Sequence, residues 1–586
     1  ATLEVSGTPA FFHSLVWLEV DAGDVVAEQR EDDNRAALYG DCEVAPGATS
    51  LEPMEEWYLP GVEVETAPIV VQLSDDDGDG SIDSRDTPDV VFQTVDAEGN
   101  AVLAVSGLDG RELWRFRSTP ANPITIQVGQ VAAGDLDGDG VAEVIAHQRD
   151  GRLIALDHAG RLSWVSDKVE GVGDRGLGGP LLADLDGDGV PEIVLGRSVI
   201  SNEGKLLAVG TANRGRNTNY YGPLGVTLVP GATDYSHPAV ADVDLDGVAE
   251  IVAGDAVYRL NGNTLEVVWD QTVPDKLMVD GFSAVGNLDA DPQAEIVYVS
   301  SNQIIAFNHD GSLFASRRVM TPFLPLVMPT YWGGPPTIAD VDGDGRANVL
   351  VATATELIAF EAGLGVKWRR PIGPDFGGIT GVSAFDLDGD GVREVLFLDE
   401  RTFYILDGAT GAVVHSRPNK SKTGSEYPVA ADVDGDGLVE VLVPSNVSSS
   451  GDASTQGLHV LGHPSWRGAR ATWNQYGYQA GHVLLDGTVP SAPAPSWLTT
   501  NTYRVNLELP RPALYRPNLT VSRPRVGAAT AEGVPITVRV GNGGRSSVGP
   551  GHVLELSAGA GEPLTAVVES GLRAGAWVDV TLQWQA

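Results

Sequence analysis

The sequence predicts an all-β protein whose largest part is a β-propeller of eight blades. An acidic loop recurs eight times, beginning at positions 75, 135, 184, 242, 287, 340, 386 and 432. Short apolar segments and glycine turns surround each loop, giving four strands in every roughly 45–60 residues, which is typical of a propeller blade. The 71 glycines and 36 prolines suit a turn-rich chain, and a hydrophobic content of 42% excludes a disordered one.

The second loop shows most clearly how its residues could bind a metal ion. Carboxylates stand at its positions 1, 3, 5 and 9, and Gly140 at position 6 permits a sharp turn. Calcium takes six to eight oxygen ligands, and a tight loop supplies them when alternate side chains point inward. Three acids this close together repel one another without a metal. The predicted ligands, including the carbonyl of position 7, are Asp135, Asp137, Asp139, Val141 and Glu143.

Six further loops repeat this spacing, and the first loop is a longer version. The longer loop places its ligands at positions 1, 3, 5, 7, 9 and 12, as in an EF-hand loop, but no helical pattern flanks it. We therefore expect Ca²⁺ as the cofactor, with several ions and up to about eight. The predicted ligands of the first loop are Asp75, Asp77, Asp79, Ser81, Asp83 and Asp86. Those of the third, fourth and fifth loops are Asp184, Asp186, Asp188, Val190, Glu192, Asp242, Asp244, Asp246, Val248, Glu250, Asn287, Asp289, Asp291, Gln293 and Glu295. Those of the last three loops are Asp340, Asp342, Asp344, Arg346, Asn348, Asp386, Asp388, Asp390, Val392, Glu394, Asp432, Asp434, Asp436, Leu438 and Glu440.

Two loops depart from the pattern. The fifth has Asn287 at position 1 and Pro292 where the others have glycine, and the sixth ends in the neutral Asn348. We expect these two loops to bind calcium more weakly than the rest.

The repeated D-x-D-G-D-G-x-x-E-I-V motif, as in Asp184–Val194, resembles the FG-GAP/VCBS repeats shared with integrin α-chains. The resemblance covers residues 55–465 and implies a calcium-binding propeller. Integrin propellers have seven blades, of which only some carry the loop, whereas all eight units here carry it. Seven blades with one unit outside the ring is therefore the alternative architecture.

The last unit lacks a clear fourth strand. Glu55–Leu59 has the character of a fourth strand but precedes the first unit, after a linker at residues 40–54. We expect this segment to complete the last blade and close the ring, because an open propeller would expose a sheet edge.

Residues 466–514 are rich in aromatic side chains and poor in periodicity. One interpretation is a carbohydrate-binding platform, because aromatic faces stack on sugars. The other, which we favour, is a brace packed against the propeller, with Asn474 and Gln475 bonding to backbone groups.

Residues 515–586 alternate in hydrophobicity and contain Asn-Gly turns, which predicts part of an immunoglobulin-like sandwich. The apolar, β-rich segment Phe12–Val20 and the acidic tail Glu28–Asn34 resemble the closing strands of a CARDB domain, a bacterial cell-adhesion module. Residues 1–39 would then complete the domain opened by residues 515–586. The two parts can join in a tandem array, between subunits joined head to tail, or within one chain. We favour an extended polymer or array formed by strand addition.

Composition narrows the class of partner and site. The net charge of −42 argues against nucleic acid and anionic membranes. The single cysteine, Cys42, excludes a disulfide within the chain, and no apolar run could span a membrane. The ten histidines show no zinc-ligand spacing, and no serine lies in a nucleophile motif. We expect an extracellular, bacterial surface protein.

The sequence favours a non-catalytic structural or adhesive protein that self-associates through its terminal segments. One alternative is an adhesin for a glycan or a surface protein. The other is a polysaccharide lyase, because some lyases use calcium-bearing propellers with catalysis in long loops. The long loops here carry Arg214, Arg216, Tyr220, Tyr221, Tyr331 and Trp332.

Overall fold

The structure is a computed structural model of the chain. It describes residues 16–19, 35–38, 50–76, 80–120, 123–169, 178–211, 237–271, 281–300, 303–319, 333–353, 355–372, 380–421, 426–446, 456–509, 519–521, 525–527, 533–542, 552–556, 564–568, 572 and 577–584. Within these residues the regular elements are strands, apart from the 3-10 helix Ser496–Leu498. The predicted all-β class is confirmed. The chain divides into two compact units, Ser50–Pro510 and the combination of Ala1–Thr49 with Arg511–Ala586.

The unit Ser50–Pro510 contains eight antiparallel sheets, here called repeats 1 to 8 in chain order. The strands of repeats 1 and 2 are Ile69–Val71, Asp89–Asp96, Gly99–Ser106 and Glu112–Arg117, then Ala132–Gly134, Glu143–Gln148, Arg152–Leu156 and Leu162–Val165. Repeats 3 and 4 comprise Leu181–Ala183, Glu192–Leu195, Ser198–Ile200 and Leu206–Val209, then Ala239–Ala241, Glu250–Ala253, Ala256–Asn261 and Thr264–Asp270. Repeats 5 and 6 comprise Phe282–Gly286, Glu295–Ser300, Gln303–Asn308 and Leu313–Arg318, then Thr337–Ala339, Asn348–Ala352, Glu356–Phe360 and Val366–Pro371. Repeats 7 and 8 comprise Ser383–Phe385, Glu394–Leu398, Thr402–Leu406 and Val413–Pro418, then Val429–Ala431, Glu440–Ser445, Gly457–Gly462 and Met54–Pro60.

Two short pairings complete this unit. Glu63–Val64 adds to the second strand of repeat 1, opposite Val95 and Thr94. Gly468–Ala469 pairs with Glu508–Leu509 in the segment that follows repeat 8.

The closing strand Met54–Pro60 joins the two ends of the repeat series. It pairs antiparallel with Gly457–Gly462, as the sequence predicts for Glu55–Leu59. The register shifts between Glu55 and Trp57, which leaves Glu56 as the extra residue of a bulge. Such a bulge turns a side chain in a new direction.

Apolar clusters join each repeat to the next one. One cluster combines Val90 and Phe92 of repeat 1 with Val429 and Leu442 of repeat 8. Others span repeats 1 and 2, 2 and 3, 3 and 4, 4 to 6, 6 and 7, and 7 and 8. The series of sheets is therefore propeller-like, since the last sheet packs on the first.

Tryptophans of the fourth strands connect successive repeats. Four of them donate the indole N–H to a carbonyl in the third-to-fourth-strand turn of the following repeat, at 2.7–2.8 Å: Trp57 to Gly107, Trp114 to His158, Trp269 to His309 and Trp368 to Gly408. Each ring also covers a glycine of that turn with φ between 70° and 81°, namely Gly110, Gly160, Gly311 and Gly411. A Cβ on these glycines would lie within 2.8 Å of the indole, so the turn needs glycine both for its φ and for this close approach.

The second unit contains three groups of strands among its described residues. Val16–Glu19 pairs with Arg35–Leu38. Val534–Asn542 pairs with Leu519–Val521, Arg525–Val526 and Trp577–Trp584, and His552–Leu556 pairs with Leu564–Val568. Two small apolar clusters are buried here, one with Val540 and Val568 and the other with Ile536, Val538 and Leu582. The acidic tail Glu28–Asn34 lies outside the described residues, and no strand pairing links the N-terminal pair to the C-terminal strands within them.

We predict that Trp368→Ala destabilises the Ser50–Pro510 unit by about 3–5 kcal/mol, the usual cost of removing a buried aromatic side chain. Trp368 is 8% exposed and donates a hydrogen bond to the next repeat. Thermal unfolding of the full chain measures the effect. Leu313→Ala, at a site 62% exposed on another fourth strand, is the control, and equal melting temperatures for the two variants would contradict the role of the tryptophan.

Candidate metal centres

Every acidic loop of repeats 2 to 8 joins the first strand of a repeat to its second strand. The residue before loop position 1 pairs directly with the residue at position 9, as Gly134 does with Glu143 and Ala431 with Glu440. Strand pairing therefore fixes both ends of the loop and places the position-9 side chain at its base.

Hydrogen bonds within the loop orient its carboxylates. Asp135 accepts the N–H groups of Gly138 at 2.8 Å and Gly140 at 3.0 Å, and Glu143 accepts the N–H of Leu136 at 2.9 Å. The loops beginning at Asp184, Asp386 and Asp432 repeat all three bonds. In the loop beginning at Asp340 the amide oxygen of Asn348 replaces the glutamate and accepts from Val341 at 3.1 Å.

These bonds bring acidic groups together. Within several loops, ligand atoms of three carboxylates lie within 4.8 Å of one another: Asp135, Asp137 and Glu143; Asp184, Asp186 and Glu192; Asp242, Asp244 and Asp246; Asp289, Asp291 and Glu295; Asp340, Asp342 and Asp344. Carboxylate oxygens at this separation match the donor set that calcium prefers.

The glycine at position 6 has φ near +85° wherever it occurs in the nine-residue loops, from +82° at Gly437 to +91° at Gly247. Proline cannot adopt this conformation, because its ring holds φ near −65°. Pro292 therefore gives the fifth loop a different path, in which Asn287 donates a side-chain hydrogen bond to the carbonyl of Asp291 at 2.5 Å.

The fifth loop nevertheless supplies the clearest sign that a cation fits. Glu295 is fully buried, and its Oε2 accepts the N–H of Leu288 at 2.5 Å. Its Oε1 is buried without a hydrogen-bond partner. An oxygen in this state costs free energy unless something binds it, and the acids Asp289 and Asp291 beside it make a cation the fitting group.

Basic side chains of the protein itself reach three of the nine-residue loops. Arg259 of the third strand forms ion pairs with Glu250, Asp246 at 2.8 Å and Asp244 at 3.5 Å. In the sixth loop Lys367 forms ion pairs with Asp342 and with Glu361 at 3.3 Å. In the seventh loop Arg467 forms an ion pair with Asp386 at 2.6 Å. These side chains neutralise part of the charge that a metal would neutralise, and they compete with it.

The first loop is described only in part, because Asp77 and Asp79 lie outside the described residues. Asp86 accepts the N–H groups of Asp76 at 2.8 Å and Asp83 at 2.9 Å. The bond from Asp76, at loop position 2, corresponds to the bond that the position-9 side chain accepts in the shorter loops. The carboxylate of Asp83 pairs with Arg85 at 2.6 Å.

The eighth loop has an additional acid that the sequence did not single out. Glu56, the bulge residue of the closing strand, lies beside Glu440, because a Cβ on Gly462 would be 2.2 Å from Glu56 Oε1 and 3.5 Å from Glu440 Cγ. Although its side chain still reaches solvent, desolvation by the surrounding protein and the charge of Asp434 raise the pKa of Glu56 to about 8.

Burial raises the pKa of the position-9 glutamates, and in most loops the charges of the nearby aspartates add to the shift. The pKa reaches about 8 for Glu143 and Glu394, and about 7 for Glu192, Glu250 and Glu295. Glu440 is shifted upward for the same reasons. Without a metal, the folded chain therefore holds these acids in an unfavourable environment.

The segment 466–509 contacts the first strand, or the loop residues directly after it, in all eight repeats. Its hydrogen bonds, one for each repeat in order, join Trp473 to Val70, Asn474 to Ala133, Gln475 to Leu182, Gln479 to Val240, Asn501 to Asn287, Tyr503 to Ile338, Arg467 to Leu387 and Asn506 to Ala430. The first strands therefore converge on this segment.

The aromatic side chains of this segment are buried. Trp466, Trp473, Tyr476, Tyr478 and Tyr503 are each at most 1% exposed. The guanidinium of Arg504, also buried, lies 5.2 Å and 5.0 Å from the ring centres of Tyr476 and Tyr503. These rings present no open face on which a sugar could stack.

The residues considered for lyase chemistry, Arg214, Arg216, Tyr220, Tyr221, Tyr331 and Trp332, lie outside the described residues. Among the residues that the structure describes, no helix is long and apolar enough to cross a membrane.

Comparisons with known proteins give a fold relationship. No family model matches the chain, and no curated protein matches it. The biofilm matrix protein Bap1 of V. cholerae aligns with a TM-score of 0.62 and 23% identity, over 78% of this chain and 99% of that one. A quinohemoprotein alcohol dehydrogenase of Pseudomonas putida HK5 (TM-score 0.45, 14% identity, 82% and 80% coverage) and the rhamnogalacturonan lyase YesW (0.39, 16%, 77% and 99%) align more weakly. The chain thus shares the fold of a biofilm matrix protein, and we draw nothing from the two weaker alignments.

We predict that the calcium-free protein loses stability as the pH rises from about 6.5 to about 8. The glutamates with pKa near 7 to 8 have an ordinary value of 4.5, so in this window the folded state binds more protons than the unfolded state. The buried His147 and His482 have a pKa lowered to about 4 and titrate below the window. Melting temperatures across the window test this, and calcium should abolish the decline. A calcium-free melting temperature that rises with pH would contradict it.

Proposed function

We propose that the chain is a non-catalytic, calcium-stiffened extracellular protein with a structural or adhesive role, built on an eight-bladed propeller of FG-GAP/VCBS type. The repeated acidic loop carries this proposal. In each of repeats 2 to 8 the loop is fixed between paired strands, and in repeat 5 it leaves Glu295 Oε1 buried without a partner.

The loop residues would act as structural ligands. The aspartates at positions 1, 3 and 5, the carbonyl of position 7 and the acid at position 9 would surround one ion in each loop, and up to about eight ions would bind. Each ion would tie the end of the first strand to the start of the second. The millimolar calcium that weaker loops need is available outside cells, which supports an extracellular location.

The burial of the aromatic segment supports a bracing role for residues 466–514. Its hydrogen bonds reach the first strand, or the loop residues directly after it, in all eight repeats, as a brace requires. The fold shared with a biofilm matrix protein favours a matrix or surface role over a catalytic one.

We further propose that the unit formed by Ala1–Thr49 and Arg511–Ala586 is an immunoglobulin-like domain of CARDB type, through which chains join head to tail. Support comes from its antiparallel strands and from its assignment as one compact unit. An adhesin for a glycan or a surface protein uses the same scaffold and is the second candidate. A polysaccharide lyase would require catalytic side chains in the long loops, whose candidate residues lie outside the described residues.

We predict that calcium raises the melting temperature of the full chain strongly. One site saturated at about 100 times its dissociation constant adds about 2.7 kcal/mol, and several sites add together. Differential scanning calorimetry with calcium or with a chelator measures the shift. Magnesium at the same concentration should give a smaller one, because it requires octahedral geometry and gives up its water reluctantly. A melting temperature that is the same with calcium and with the chelator would refute the structural role of calcium.

We predict that the purified chain forms filaments in calcium and that a variant lacking residues 1–38 does not. Negative-stain electron microscopy of both samples tests head-to-tail strand exchange. Single particles in both samples would exclude it and leave closure within one chain or an adhesive role.

A further inference from the structure

The eighth acidic loop lies deeper in the protein than the other nine-residue loops. Asp432, Asp436 and Glu440 are exposed by 6%, 5% and 1%, whereas Asp137 and Asp139 of the second loop are on the surface. Moving ionised carboxylates out of water is unfavourable unless an opposite charge compensates them. This loop therefore needs a counter-charge more than the other nine-residue loops do.

Among the residues that the structure describes, the protein itself provides no counter-charge for the eighth loop. Arg259 enters the fourth loop and Lys367 the sixth, but no basic side chain pairs with Asp432, Asp434, Asp436 or Glu440. The Oε2 atom of Glu440 accepts the N–H of Val433 at 2.9 Å, and no hydrogen bond to its Oε1 occurs among the described residues. The side chain of Glu440 is 1% exposed, and only one of its two carboxylate oxygens accepts a hydrogen bond among the described residues.

The closing strand adds a fifth carboxylate. The bulge at Glu56 turns this side chain toward Gly462 and Glu440, and the missing Cβ of Gly462 makes room for it. Glu55, the preceding residue, instead binds Arg417 at 3.0 Å and His459 at 2.7 Å. Two neighbouring glutamates of one strand therefore have opposite electrostatic environments: Glu55 faces cations and Glu56 faces acids.

We propose that Glu56 is a further ligand of a calcium ion in the eighth loop, so that this ion joins the closing strand to the last repeat. The inference rests on the proposed function, which supplies the ion. Asp432, Asp434, Asp436, Glu440, the carbonyl of Leu438 and Glu56 offer at least the six oxygens that calcium needs. Because affinity rises with the number of charged ligands, this site binds calcium more tightly than the fifth or sixth loop.

The consequence is a link between calcium and ring closure. In the other loops calcium connects neighbouring strands of one continuous stretch of chain. In the eighth loop it would connect residues far apart in the sequence, because Glu56 belongs to the closing strand Met54–Pro60, which pairs with Gly457–Gly462 of the last repeat. Removal of calcium leaves five acids facing one another at this junction and favours release of the closing strand.

Hydrogen–deuterium exchange of the full chain, followed on peptides covering Met54–Pro60 during a calcium titration, tests this. In the wild type we expect calcium to slow exchange of these amides. Glu56→Gln should raise the calcium concentration at half-protection by about 10-fold or more, a typical effect on metal affinity of removing a supporting group. Without calcium it should leave protection equal or increase it, because the substitution removes repulsion. Glu56→Asp, which keeps the charge, should retain part of the response.

Glu55→Gln is the matched control on the same strand. It removes the contacts with Arg417 and His459, so it should lower protection equally with and without calcium. A Glu56→Gln variant with the wild-type calcium midpoint would overturn the role of Glu56. If equilibrium dialysis still shows calcium bound to the chain in that case, the proposed function remains intact. No calcium bound to the wild type in that dialysis would overturn both.

Discussion

The fold depends on the confinement of several carboxylates in a loop whose two ends are fixed by strand pairing. Because Gly134 pairs with Glu143, and Ala431 with Glu440, the loop cannot open to separate its charges without breaking the first pair of the sheet. Repulsion among the acids therefore acts directly on the sheet. A bound cation would convert the same arrangement into a clamp and would offset part of the net charge of −42 carried by the chain.

The repeats are held together in three ways that act at different distances from the first strands. The segment 466–509 binds the first strands, apolar clusters fill the space between sheets, and tryptophans of several fourth strands bind the turn of the next repeat. The closing strand completes this set by joining the ends of the series. Because the segment 466–509 binds every repeat and the closing strand joins the two ends of the series, we expect the unit Ser50–Pro510 to unfold cooperatively rather than repeat by repeat.

The sequence predicted features that depend on neighbouring residues. The loop spacing, the four-strand pattern and the pairing of Glu55–Leu59 with the last repeat follow from local patterns, and Asn474 and Gln475 bond to backbone as the brace interpretation requires. The sequence could not show Glu56, Arg259 or Lys367 at the loops, because that requires the register between strands and, for Glu56, a bulge. Likewise, no pattern in the eighth loop distinguishes its depth from that of the others, since burial there comes from neighbouring segments such as Thr87 and Pro88.

The measurement that tests the central claim most directly is the number of calcium ions bound per chain. Elemental analysis of the full chain after equilibrium dialysis against about millimolar calcium gives this number, with magnesium present to suppress weak surface binding. We predict several ions per chain, with binding that weakens as the position-9 glutamates are protonated below about pH 7. A chain that folds with the same sheets and binds no calcium would contradict the claim that a cation balances the loop carboxylates.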